Sequence, residues 1–80
     1  LITLYSTQGC HLCEMAFELT CQLGIDGLVK TVDIAFDDAL FSRYGVTIPV
    51  LQYGSDELGW PFTLQELQIW LGKHGINYHT

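Results

Sequence analysis

Eighty residues, 49% hydrophobic and 15% charged, suffice for one small domain over 1–80, with a core near the lower size limit for folding without staples. Three Lys or Arg against nine Asp or Glu give a formal charge of −6, which argues against nucleic acid or an anionic membrane surface as partner. No apolar run reaches spanning length, no secretory pattern is visible, and an odd cysteine count does not suit a secreted disulfide framework, so a reducing, cytoplasmic setting is expected.

Leu1 to Ser6 is rich in β-branched, aliphatic and aromatic residues and reads as a largely buried strand, ending at Thr7-Gln8-Gly9. From Leu12 to Leu23, the residues Leu12, Ala16, Leu19 and Leu23 recur at helical spacing, opposite a polar stripe of Glu14, Glu18 and Gln22. Gly24 is the expected stop. Leu28 to Ile34 reads as a second strand, and the intervening helix makes a right-handed parallel β-α-β unit the default. Phe36, Ala39, Leu40 and Tyr44 lie in helical register, with Asp37 and Asp38 in the first turn and Gly45 as stop.

Val46 to Tyr53 reads as a third strand with Pro49 near its start, followed by a turn at Gly54-Ser55-Asp56 and a short antiparallel strand around Glu57-Leu58-Gly59. Thr63 and Glu66 have capping-box spacing, and Leu64, Leu67, Trp70 and Leu71 form the stripe of a last helix ending near Gly72 or Gly75. Asn77 to Thr80 reads as a frayed tail.

The chemistry centres on Cys10-His11-Leu12-Cys13, where the first strand gives way to the first helix. Free backbone N–H groups and the helix dipole favour negative charge there, and a thiolate is such a charge. Cys10 at the cap is therefore assigned as nucleophile, and Cys13, one turn further in and more buried, as resolving thiol. A structural cysteine pair or half of a zinc site is the competing reading, and His74 and His79 could complete a ligand set only if the tail folds back. His11 is either a thiolate-stabilising imidazole or a solvated cap residue. Cys21 reads as a partly buried, inert thiol, with a second redox role as the alternative. Trp70 is assigned to the core, and Trp60 is left between core and recognition surface.

The element order, the C-x-x-C, Thr47-Ile48-Pro49 and Gly59-Trp60-Pro61-Phe62 together resemble the glutaredoxin-like branch of the thioredoxin superfamily over essentially the whole chain. The resemblance implies an α/β fold of β-α-β-α-β-β-α order, with a central four-stranded mixed sheet flanked by helices. It further implies a cis Ile48–Pro49 bond beside the cysteines, and a substrate surface formed by Thr47, Ile48, Pro49 and Trp60. The implied activity is thiol–disulfide exchange in a monomer that acts on a disulfide-containing protein or a low-molecular-weight thiol. No tightly bound cofactor or metal is implied, and glutathione is the co-substrate in question. A partner-binding or redox-sensing module with little turnover is the alternative.

The chain departs from typical dithiol glutaredoxins in three places. His11-Leu12 replaces a proline and an aromatic residue, Thr7 occupies the region of a customary lysine, and Gly59-Trp60-Pro61-Phe62 replaces a Gly-Gly pattern. The usual glutathione contacts therefore do not carry over, and thiol exchange is the firmer expectation.

Overall fold

The computed structural model describes residues 1–78. Strand β1 (Ile2–Ser6) buries Ile2, Leu4 and Ser6 on one face and turns Thr3 and Tyr5 to the other, the period-two alternation of a strand. It pairs in parallel with β2 (Val29–Asp33) and antiparallel with β3 (Val50–Tyr53), which in turn pairs antiparallel with β4 (Asp56–Gly59). The strand order is β2-β1-β3-β4, so β1 is central and its C-terminal end delivers the chain to the cysteine motif.

Helices α1 (His11–Gln22) and α3 (Leu64–Lys73) belong to the larger core on the Leu4 face, where Ala16, Leu23, Leu67 and Leu71 meet Ile2, Leu4 and Leu51. Full burial of each large aliphatic side chain contributes about 1.5–3 kcal/mol relative to exposure. Helix α2 (Asp38–Tyr44) belongs to the smaller core, in which Ile34, Tyr44 and Val50 pack with Tyr5, Leu40 and Ile48. The sheet is thus sandwiched between unequal helical layers.

Local chemistry sets the boundaries. Gly24, at φ 71°, lets the chain leave α1 in the left-handed conformation that glycine adopts without steric cost. Asp37 caps α2 by accepting the Leu40 N–H at 3.1 Å. Thr63 and Glu66 form a reciprocal capping box at 2.9 and 3.1 Å that starts α3.

Several expectations are corrected. The α1 core face is Cys13, Ala16, Thr20 and Leu23, whereas Leu12 is exposed. Thr20 is tolerated inside because its hydroxyl donates to the Phe17 carbonyl at 2.6 Å. The expected helix from Phe36 is broken into a 3₁₀ turn (Ile34–Phe36) and α2, which leaves Phe36 86% exposed.

The third strand starts at Val50 and not Val46. The Tyr44 carbonyl accepts the N–H groups of Thr47 and Ile48 at 2.9 and 3.1 Å, and Pro49 has none to offer the sheet. Val46 stands in solvent, Asp56 opens β4 where a turn residue was expected, and Cys21 is exposed and not partly buried. Trp70 lies in the core as expected, its Nε1–H donating to Asp56 Oδ2 at 3.2 Å.

Candidate functional site

Gly9, at φ 76°, turns the chain between β1 and α1, and Cys10 follows as the helix N-cap in extended conformation. Its Sγ accepts the backbone N–H of Cys13 at 3.2 Å, the place a cap oxygen takes in other helices. Cys10 and Cys13 form a disulfide with Cα atoms 5.2 Å apart. Cys10 is half-buried whereas Cys13 is only 5% exposed, so the two sulfurs differ in access as their positions suggested.

A cleft of about 370 Å³ opens beside this pair. Leu4 and Ser6 of β1, the turn Thr7-Gln8-Gly9, Cys10, Cys13, Glu14 and Phe17, and Thr31 of β2 form its walls. Leu4 lies directly opposite Thr31 in the parallel register, which brings residues 27 positions apart to one wall. Neither Glu14, which the sequence places on a polar helix stripe, nor Thr31 is among the site residues expected from the sequence. Glu14 had a local signal in its place on the first turn after Cys13, but Thr31 had none, because its nearness depends on strand register.

His11 lies on the outer surface of α1, with Nδ1 3.5 Å from Glu14 Oε1 and both side chains largely solvated. It does not belong to the cleft wall.

The remaining predicted site residues lie toward β3. Pro49 is fully buried, Ile48 half-buried and Thr47 exposed, and the Ile48–Pro49 bond is cis. Thr47 is held by the Tyr44 carbonyl through both its N–H and, at 3.3 Å, its hydroxyl. The Trp60 N–H donates to the Pro49 carbonyl at 3.1 Å, and the Trp60 ring meets Phe62 edge-on at 5.2 Å. The structure therefore joins the Pro49 loop to the Trp60 turn, while the cleft beside the cysteines is walled by other residues.

Tyr44 also ties this region to the strand leading to Cys10. Its ring stacks on Tyr5 at 4.3 Å and 14°, and its hydroxyl donates to Glu57 Oε2, which Arg43 also approaches at 3.5 Å. Burial first, and then the bond to Glu57, push the Tyr44 pKa above its ordinary value and keep the proton on the phenol.

His74, a candidate metal ligand by sequence, has another partner. His74 Nε2 lies 2.7 Å from Asp56 Oδ2, within a cluster that includes Lys73 and Trp70. Hydrogen bonds from His74 and Lys73 draw the Asp56 pKa below the ordinary carboxylate range. Among the described residues, no three His, Cys, Asp or Glu side chains converge as a metal site, and His79 lies outside the described residues. No described helix is long and apolar enough to cross a membrane.

Residues 1–72 match the family described as Glutaredoxin-like domain (DUF836). The chain is similar to Northeast Structural Genomics target protein XcR50 from X. campestris, at 40% identity and TM-score 0.84 with its X-ray structure, covering 91% of this chain and 97% of that one. The solution structure of the same target gives 41% identity and TM-score 0.80, covering 90% and 92% of the two chains. No curated protein matches the chain. The fold is thus α/β and thioredoxin-like, of glutaredoxin type.

Proposed function

Since the chain belongs to this glutaredoxin-like family, we propose that it is a thiol–disulfide oxidoreductase working through Cys10 and Cys13. The observation that carries this reading is the Cys13 N–H aimed at Cys10 Sγ from the start of a helix, with Cys13 buried behind it. That N–H and the helix dipole stabilise a thiolate at Cys10 more than a thiol.

In the reduced protein, the Cys10 thiolate attacks one sulfur of a substrate disulfide, forms a mixed disulfide and expels the other sulfur as a thiolate. Cys13 then loses its proton and attacks the Cys10 sulfur. The second substrate thiolate leaves, the Cys10–Cys13 disulfide forms, and two electrons have passed to the substrate. A thiol reductant, either glutathione or an external dithiol, reverses the change in the protein. The proposed setting is the reducing cytoplasm, and the proposed partners are a disulfide-bearing protein or a low-molecular-weight thiol meeting a monomer.

Thr47, Ile48 and Trp60 are proposed as the docking surface for substrate backbone, with the buried Pro49 beneath them as support, held by the Tyr44 and Pro49 hydrogen bonds. His11, 3.5 Å from Glu14, is proposed to tune the thiolate by its charge from the surface.

A redox titration read by mass spectrometry, against glutathione and against dithiothreitol, tests the assignment. Wild type should pass reversibly between dithiol and disulfide, Cys13→Ser should accumulate a mixed disulfide, and Cys10→Ser should do neither. A wild-type protein that forms no Cys10–Cys13 disulfide at any accessible potential would eliminate the proposal.

A further inference from the structure

The cleft beside the disulfide has a definite chemical character. Its charged wall residue is Glu14, and its other polar walls are hydroxyls and an amide from Ser6, Thr7, Gln8 and Thr31, with Phe17 supplying an apolar side. Ser6 is 8% exposed and lines the cleft, and among the described residues no side-chain hydrogen bond engages its hydroxyl. A ligand group entering the cleft therefore meets Ser6 and, at the rim, the largely solvated Glu14, whose Oε1 also lies 3.5 Å from His11 Nδ1.

The chain has three Lys or Arg, and none lines the cleft. Arg43 lies 3.5 Å from Glu57, and Lys73 lies 3.3 Å from Asp56. Lys30 pairs with Thr3 in the register, one residue back from the Leu4–Thr31 pair on the cleft wall, and so projects from the opposite face of the sheet. No Lys or Arg lines the cleft to hold a substrate carboxylate, and Glu14, which His11 approaches at 3.5 Å from outside the cleft wall, would repel one.

We propose that this cleft selects low-molecular-weight disulfides carrying ammonium groups, with Glu14 as the specificity-determining residue. The inference rests on the thiol-exchange reading above. The cleft lies within the size range of small-molecule sites, about 300–1,000 Å³. The ammonium group is held by Glu14 and the neighbouring hydroxyls while a substrate sulfur faces Cys10. Attack by the Cys10 thiolate breaks the substrate S–S bond and releases one aminothiol. Attack by Cys13 releases the second and leaves the protein disulfide.

The test uses reduced protein in stopped-flow single turnover with three disulfides: cystamine (cationic), bis(2-hydroxyethyl) disulfide (neutral) and oxidised glutathione (anionic). Each rate is divided by that disulfide's rate with dithiothreitol, which removes intrinsic reactivity. The expected order is cystamine, then the neutral disulfide, then oxidised glutathione. Glu14→Gln should lower the ratio of cystamine to neutral rates by about two- to fivefold, the size of an exposed ion pair. High salt should compress the ratio in the same direction.

Equal or faster normalised reduction of oxidised glutathione overturns the proposal, as does a cystamine-to-neutral ratio that Glu14→Gln does not change. If none of the three is reduced, the thiol-exchange reading has failed and the charge preference fails with it. Reduction of the neutral disulfide without charge preference removes only the inference drawn here.

Discussion

The backbone N–H of Trp60 donates to the carbonyl of Pro49 at 3.1 Å, fastening the turn after β4 to the loop before β3. Because the Trp60 ring also packs edge-on against the buried Phe62, a change in the turn is transmitted to both the loop and the core. Trp60→Ala is expected to destabilise the fold by about 1–2 kcal/mol, combining lost apolar burial with an aromatic pair. It should also raise the KM for a protein disulfide several-fold while the rate with a small disulfide changes less. Urea unfolding and steady-state kinetics measure the two effects. An unchanged KM would remove Trp60 from the docking surface.

Tyr44 holds Thr47 and Ile48 with its carbonyl and Glu57 with its hydroxyl. Tyr44→Phe keeps the ring stack on Tyr5 but leaves the Glu57 carboxylate, among the described residues, with only Arg43. The expected loss is about 1.5–3 kcal/mol, typical of a hydrogen bond to a charged group, read as a lower urea midpoint with unchanged slope. A midpoint equal to wild type would show that water replaces the phenol without cost.

Asp56 supplies a pH dependence with a defined sign. Hydrogen bonds from His74 and Lys73 lower its folded-state pKa below 3.8, so the folded state binds that proton less readily than the unfolded chain does. Its stabilising contribution is therefore present above the ordinary carboxylate range and is lost as pH falls through the depressed folded value. Asp56→Asn should give a stability profile with a shallower decline below about pH 4, the ordinary aspartate range. Unfolding midpoints between acid and neutral pH, compared for the two proteins, check this; parallel profiles would assign the acid sensitivity elsewhere.

Cys21 and Cys10 should separate in an alkylation experiment on reduced protein. Desolvation of its sulfur, followed by the charges of Asp26 and Glu18, raises the Cys21 pKa although the residue is exposed. Cys10 instead faces a backbone N–H at a helix start. Iodoacetamide at neutral pH should label Cys10 first, and Cys21 labelling should climb as the solution is made alkaline. Faster labelling of Cys21 at neutral pH would contradict both assignments.

Much of the molecule could be read directly from local patterns. Cys10-His11-Leu12-Cys13 sits between an apolar strand and an apolar-periodic helix, so its position at a helix start follows from neighbouring residues alone. Thr63 and Glu66 likewise announced α3, since a capping box is satisfied within four residues. The order of elements and their resemblance to a known fold were legible for the same reason.

Tertiary structure decided what local periodicity left degenerate. Leu12 and Cys13 are neighbours on one helix, and the direction from which the sheet approaches determines that Cys13 is buried and Leu12 exposed. The Tyr44 carbonyl competes with the sheet for the N–H groups of Thr47 and Ile48, which moves the start of β3 to Val50. Thr31 joins Glu14 beside the disulfide only because β2 pairs with β1 in the register Leu4–Thr31. The sequence by itself placed a reactive thiol pair at the start of a helix, because capping and dipole act over one turn. Which residues face that pair, and with what charge, depended on strand pairing and helix docking between segments far apart in the chain.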